Sequence, residues 1–172
     1  MLLELEKYGI KEGYFIKNKL KNFSEAKKDG FYHIKHEAIN FDETGKQIKT
    51  HSYKTADALI FKTKKKLKFI EFKGLKNNSN IAKFIEGLHL DLKVQDSFSI
   101  LRNILNEKKF GTKYNRKNFN ETKNHFIFSI SCNNLDPTLE FLLTSSIAGF
   151  EDYDITLEKV FWVETKDIEK YL

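Results

Sequence analysis

Thr55-Ala-Asp-Ala-Leu-Ile-Phe-Lys-Thr-Lys-Lys-Lys-Leu-Lys-Phe-Ile-Glu-Phe-Lys73 is the stretch on which the fold turns. Two runs rich in apolar and aromatic residues, 55–62 and 67–73, flank the polar segment 63–66, the pattern of two strands joined as a hairpin. With a three-residue loop centred on Lys64, Asp57 faces Glu71, Leu59 faces Phe69 and Phe61 faces Leu67. The other side pairs Ala56 with Phe72, Ala58 with Ile70 and Ile60 with Lys68. Both sides are mostly apolar, which places the hairpin inside a sheet. Asp57 and Glu71 interrupt that pattern. Opposed residues have Cβ atoms about 5 Å apart, and two like charges there destabilise a sheet unless something positive lies between them. A divalent cation answers that need, because carboxylate oxygens are the hard ligands Mg²⁺ prefers. Lys73 lies on the same face as Glu71, since strand side chains alternate with period two.

Outward from the hairpin, residues 2–28 offer an imperfect helical stripe, interrupted by Gly9 and Gly13. Residues 31–41 have extended character up to a turn signal at Asp42-Glu43-Thr44-Gly45, with residues 47–53 returning as the hairpin partner. Residues 78–107 carry apolar side chains at the spacing of a buried helical face, with an interruption expected near Gly87 or Asp91. Residues 125–131 form a short apolar run suited to an interior strand. Asp136-Pro137 then opens a helix ending before Gly149, with Asp136 as its cap. Residues 160–163 supply the last strand, followed by a short helical tail. The order predicts one α/β domain over residues 1–172, with three layers, a central mixed sheet, an antiparallel hairpin and helices on both faces.

At 172 residues the chain is long enough for one core without cross-links. The net charge of +6 and pI near 9.2 favour an anionic partner. Biased codon usage is the alternative source of part of this charge, since all but Arg102 and Arg116 of the thirty Lys and Arg residues are Lys. Cys132 is the single cysteine, so neither an internal disulfide nor a Cys-based zinc site can form. The first residues lack the basic start and apolar run of a signal peptide, and no stretch of about 18 apolar residues occurs. A cytoplasmic protein without a membrane partner is expected.

Asp57 followed by Glu71-Phe72-Lys73 on a strand hairpin, with a long helix after it, resembles the PD-(D/E)xK, or restriction-endonuclease-like, nuclease superfamily. The resemblance covers residues 1–131. It implies a metal-dependent nuclease that hydrolyses phosphodiester bonds of nucleic acid, DNA in the first place, with Asp57, Glu71 and Lys73 as catalytic residues. Asp57, Glu71 and the Phe72 main-chain carbonyl would hold Mg²⁺ or Mn²⁺, and Lys73 would orient the attacking water or stabilise the phosphorane. Ala56 stands where the family's namesake Pro would sit. Glu12 and Glu25 are the candidates for the glutamate many members carry on the first helix, and Lys93 or Gln95 for the assisting residue on the helix after the motif. The resemblance is compatible with a homodimer or a larger nucleoprotein complex. The alternative for the same residues is a structural ion cluster, in a non-catalytic nucleic-acid-binding or protein-interaction module.

Residues 108–123 interleave basic residues, Lys108, Lys109, Lys113, Arg116 and Lys117 among them, with Phe110, Tyr114 and Phe119. That mixture suits contacts to phosphates and stacking on bases, while an ordinary surface loop anchored by its aromatics is the favoured reading. Lys64-Lys65-Lys66 reads as a solvated hairpin tip. His33 and His36 fall on opposite faces of a strand and cannot share a metal there. His33, His36 or His51 completing a His-containing variant of the nuclease site ranks below an ordinary surface or packed histidine. Cys132 reads as a small core residue.

Overall fold

A computed structural model describes residues 2–23, 34–48, 54–75, 81–106, 119–131, 137–148 and 156–172. The elements in chain order are α1 (Leu2–Lys11), β1 (Lys17–Lys19), a 3-10 turn (Leu20–Asn22), β2 (Glu37–Asn40), α2 (Phe41–Gln47), β3 (Ala58–Thr63) and β4 (Lys66–Gly74). They continue with α3 (Ile81–Leu88), α4 (Leu90–Leu105), β5 (Asn124–Ser131), α5 (Pro137–Ile147), β6 (Leu157–Glu164) and a 3-10 helix (Thr165–Tyr171). The six described strands form one sheet in the order β1-β2-β3-β4-β5-β6. β1 to β4 are antiparallel neighbours, whereas β4, β5 and β6 run parallel. The sheet is therefore mixed, and the hairpin lies at its centre.

The hairpin pairs Ala58 with Ile70, Leu59 with Phe69, Ile60 with Lys68 and Phe61 with Leu67, the expected register. It closes more tightly than a loop centred on Lys64: Thr63 pairs with Lys66, with a register shift between Phe61 and Thr63. Lys64 and Lys65 form the exposed turn. β4 is buried on both sides, as an interior strand with a near-continuous apolar run must be. Phe69 is its hub, 4.9 Å between ring centroids from Phe98, 5.6 Å from Phe126 and 5.7 Å from Phe41. Rings at such separations add to the energy of simple area burial.

The five described α-helices all pack on one side of the sheet. Leu2 and Leu5 of α1, Phe41 of α2, Leu88 of α3, Val94, Phe98 and Leu101 of α4, and Leu139 and Leu143 of α5 share a core with Leu59, Phe69 and Phe126. Ala58, Ile70, Phe72, Ile127 and Val163 face the other side, against Leu20, Phe23, Ile34, Ile168 and Leu172. The expectation of helices on both faces is therefore modified among the described residues, since 3-10 helices and extended chain cover the second face. Residues 165–171 form the expected tail, wound as 3-10 helix.

Residues 42–45 are not a turn. Asn40 caps α2 by accepting from the Glu43 N–H (3.3 Å), and Asp42 and Glu43 occupy the first helical turn, where the helix dipole favours acids. Thr44 is buried and donates to the Tyr14 carbonyl (2.8 Å), fixing the helix on the loop after α1. The expected strand over 47–53 is thus contradicted at Gln47, which ends α2, and residues 49–53 lie outside the described residues. β2 pairs instead with β1 and β3. In the long helical segment the break falls at His89, whose φ of 48° lies in the left-handed region, between the two expected positions. Gly9 sits within α1 because Phe15 folds back over it; a Cβ there would lie 2.1 Å from the Phe15 ring. α5 begins at Pro137 as expected, while its cap Asp136 and the stop at Gly149 lie outside the described residues. No described helix is long and apolar enough to cross a membrane.

Candidate functional site

Asp57 immediately precedes β3, and Glu71 and Lys73 stand on the last part of β4. By alternation they share the face of Leu59, Leu67 and Phe69, the face that α4 covers. Asp57 is not held opposite Glu71 by a regular ladder pair, because the last pair toward that end of the hairpin is Ala58 with Ile70. Its carboxylate instead takes over the ladder: Asp57 Oδ2 accepts from the Phe72 N–H at 2.7 Å. In an antiparallel ladder a bonded residue turns its N–H and C=O toward the same neighbour, so the Phe72 carbonyl points to this edge as well.

The segment before Asp57 is tied to α4 by three contacts. Lys54 N–H donates to Asp96 Oδ2 (2.8 Å), Ala56 N–H to Ser97 Oγ (3.0 Å), and Lys93 Nζ to the Thr55 carbonyl (3.0 Å). Asp57's own carbonyl accepts from the Phe41 N–H at 3.0 Å, at the start of α2. These contacts join the approach to β3, the end of β4 and the first half of α4 around one pair of carboxylates.

Glu71 is fully buried. Its Oε1 lies 3.0 Å from Lys73 Nζ and 2.8 Å from Lys93 Nζ, yet neither carboxylate oxygen accepts an aligned hydrogen bond. A buried carboxylate is costly unless paired and hydrogen-bonded, and here only the pairing is in place. Asp57 is pushed up from its ordinary 3.8 to about 7, first by burial and next by the negative charge of Glu71. The Phe72 N–H and the two lysines oppose that rise without cancelling it. At neutral pH this carboxyl is therefore poised between its charged and neutral forms, a condition that gathers at functional sites. Lys73 is 30% exposed and Lys93 13%, so the cluster opens to solvent on the Lys73 side.

The fold thus brings together Asp57, Glu71, Lys73 and the Phe72 carbonyl. Of the two helix candidates, Lys93 joins them, whereas Gln95 is exposed on another face of α4. Glu12 follows α1 and is half-buried; among the described residues no group of three or more His, Cys, Asp and Glu converges, so it does not complete an acidic triad. Glu25, His33, His51 and Cys132 lie outside the described residues, as do Lys108, Lys109, Lys113, Tyr114, Arg116 and Lys117. His36 is exposed, with Nδ1 4.0 Å from Glu169 Oε1. Phe119, the one described aromatic of the basic segment, is fully buried, with the Arg102 guanidinium 5.8 Å from its ring, so it anchors the chain and does not present a face to bases.

Sequence reasoning did not single out Ser97, Asp96 or Thr55. Ser97 is a polar residue within the apolar stripe of α4, and that interruption was the available signal. The Thr55 hydroxyl is buried without a hydrogen-bond partner, against Gly45 of α2. Two carboxylates on one face, one of them lacking aligned donors, form a donor set suited to a hard cation, and the flanking ammonium groups can meet the oxygens of a phosphate. No family model, curated protein or solved structure matches the chain.

Proposed function

We propose that this chain is a metal-dependent nuclease of the PD-(D/E)xK type with a restriction-endonuclease-like fold, hydrolysing phosphodiester bonds of nucleic acid, DNA in the first place. The observation that carries this reading is the buried Glu71 carboxylate, which has two lysines at ion-pair distance but no aligned donor, beside an Asp57 whose ionisation is suppressed. Such an arrangement costs stability in the metal-free chain, and a hard cation would relieve it. Asp57, Glu71 and the Phe72 carbonyl would hold Mg²⁺ or Mn²⁺. When bound, the ion supplies Lewis-acid polarisation of a phosphoryl oxygen.

The chain's own groups have separate tasks. Lys73, the more exposed ammonium, reaches from Glu71 toward solvent, where it can orient a water and meet charge developing on phosphorus. Lys93 is held at both ends of its reach, by the Thr55 carbonyl and by Glu71, and so fixes the spacing between the approach to β3 and the end of β4. The Ser97 hydroxyl holds Ala56 and thereby sets where Asp57 leaves the helix layer. The net charge of +6 supplies attraction to a polyanion.

One observation favours a second reading. Two lysines face two acids, so the cluster can be neutral without an added ion, as a structural centre in a non-catalytic nucleic-acid-binding or protein-interaction module. Incubation with labelled single-stranded and duplex DNA and RNA, in Mg²⁺, Mn²⁺ or chelator, decides between them. Cleavage that needs metal and is lost in Glu71→Gln and Lys73→Ala is the expected result. Nucleic-acid binding without cleavage in every condition overturns the catalytic reading.

A further inference from the structure

The end of the sheet opposite the Asp57–Glu71 cluster gathers lysines. β4, β5 and β6 run parallel and start there, and β3 ends there because it pairs antiparallel with β4. β3 brings Lys62, the turn brings Lys64 and Lys65, and β4 opens with Lys66. Lys123 immediately precedes β5, and Lys159 stands near the start of β6. Lys66 is half-buried and the other five are exposed. The Lys123 N–H donates to the Lys65 carbonyl at 2.9 Å, which fastens the turn to the approach to β5. Four neighbouring strands at a spacing of about 4.8 Å carry the lysines across about 14 Å, and Lys66 stands about 17 Å along β4 from Glu71.

Like charges on neighbouring strands cost stability, and few acids offset these. Among the described residues at this end of β3 to β6, the six lysines stand beside two acids, Glu121 and Glu158. Glu158 is already engaged, with Lys66 at 3.1 Å, Lys123 at 3.4 Å and His125 at 3.1 Å. The hydrogen bonds from Lys66 and His125 pull its carboxyl down to about 2, so it stays ionised and committed to them. Lys62, Lys64, Lys65 and Lys159 have no ion-pair partner among the described residues. Residues 107–118 and 149–155, which precede this end in the chain and lie outside the described residues, add five basic and four acidic side chains, so their summed charge leaves the excess in place. Lys68, bonded to the Tyr171 and Leu172 oxygens, and Lys170, paired with Asp167, take no part.

Exposed ammonium groups in a row match a ladder of phosphates. One strand of a duplex advances about 3.4 Å per phosphate, so a row of about 14 Å faces about four of them. The exposed large apolar side chains among the described residues, Ile10, Ile16, Leu92, Phe141 and Tyr171, stand on other segments. The turn and the starts of β4, β5 and β6 therefore offer neither the aromatic faces on which unpaired bases stack nor the apolar face that seats a basic element in a lipid surface. We propose that this end of the sheet docks the phosphate backbone of duplex nucleic acid, without reading its base sequence. The inference rests on the nucleic-acid partner proposed above and not on catalysis at Asp57 and Glu71. It turns the solvated hairpin tip into one part of a surface built from four strands.

Fluorescence anisotropy of the full chain with short labelled DNA duplexes, in chelator and over a series of salt concentrations, tests this. Wild type should bind duplexes of different sequence equally, with an affinity that falls as salt rises. Lys64→Glu/Lys65→Glu, in the exposed turn, should weaken binding by at least about tenfold and make the slope of log affinity against log salt shallower by about 2, with circular dichroism unchanged. Lys159→Ala, two strands away, should make that slope shallower by about 1. Lys7→Glu/Lys11→Glu, at exposed positions of α1, makes the same change in net charge and should alter affinity by less than about threefold. Equal losses in the two double variants, no duplex binding by wild type, or binding to phosphatidylserine vesicles in place of the duplex overturns the inference. Duplex binding through these lysines without cleavage in Mg²⁺ or Mn²⁺ sinks the nuclease reading alone. Cleavage with undiminished affinity in Lys64→Glu/Lys65→Glu sinks this inference alone.

Discussion

Asp57→Asn should stabilise the metal-free protein at alkaline pH. The carboxyl is raised from its ordinary 3.8 to about 7 in the folded chain. Between those values the folded state holds the proton more firmly than the unfolded state, so stability falls as pH rises through that window. A shift of about 3 units at about 1.4 kcal/mol each gives about 4 kcal/mol as the upper bound of the loss, complete above pH 7. Asn resembles the protonated acid: it keeps an oxygen for the Phe72 N–H but brings no charge to be buried beside Glu71. In a domain of this size 1 kcal/mol moves Tm by about 2–4 °C. With half of the bound realised, the Asp57→Asn variant should melt about 4–8 °C above wild type at pH 8 and equal to it near pH 4. Thermal melts by circular dichroism in chelator, at half-unit steps from pH 4 to 8.5, measure the difference. A variant that melts below wild type at pH 8, or whose curve runs parallel to wild type across the range, refutes the argument that burial of this charge strains the fold.

Mg²⁺ or Mn²⁺ should raise the wild-type Tm in a concentration-dependent manner, through binding to the native state, and Asp57→Asn or Glu71→Gln should remove that response in the same scans. Lys93→Met should destabilise by about 3 kcal/mol in urea, because it leaves Glu71 buried with one ammonium, and adding Glu71→Gln should recover much of that loss in a double-mutant cycle. Ser97→Ala should cost about 1–3 kcal/mol by orphaning the Ala56 N–H, with weaker metal-induced stabilisation as its second sign. Phe69→Ala should cost about 3–5 kcal/mol by equilibrium unfolding, since it opens a cavity among Phe41, Phe98 and Phe126.

Much of the site's placement could be read from local pattern. Alternation along 55–62 and 67–73 put Asp57, Glu71 and Lys73 on one face, and the structure keeps that face. The detail differs at Asp57, which ends the ladder by offering its side chain to Phe72 N–H in place of a backbone pairing. Pattern could nominate Lys93 and Gln95 together but could not choose between them, because the choice depends on how α4 rotates over β4. Buried Val94, Ser97, Phe98 and Leu101 set that rotation, leaving Lys93 beside Glu71 and Gln95 in solvent. The Asp-Glu-Thr-Gly stretch was misleading for a related reason. Its composition suits a turn, but the Asn40 cap and the Thr44 bond to Tyr14, thirty residues away, make it a helix.

Periodicity over a few residues was enough for the interior hairpin, its register, the long helical segment and the helix opened by Pro137, because side-chain direction in a strand or helix is a local property. Contacts between distant segments decided the rest. The parallel placement of β5 and β6 beside β4, the gathering of the described α-helices on one side and the meeting of Lys93 with Glu71 each join residues far apart in the chain. Their positions follow from how whole faces are buried against one another, a property that no single stretch of sequence carries.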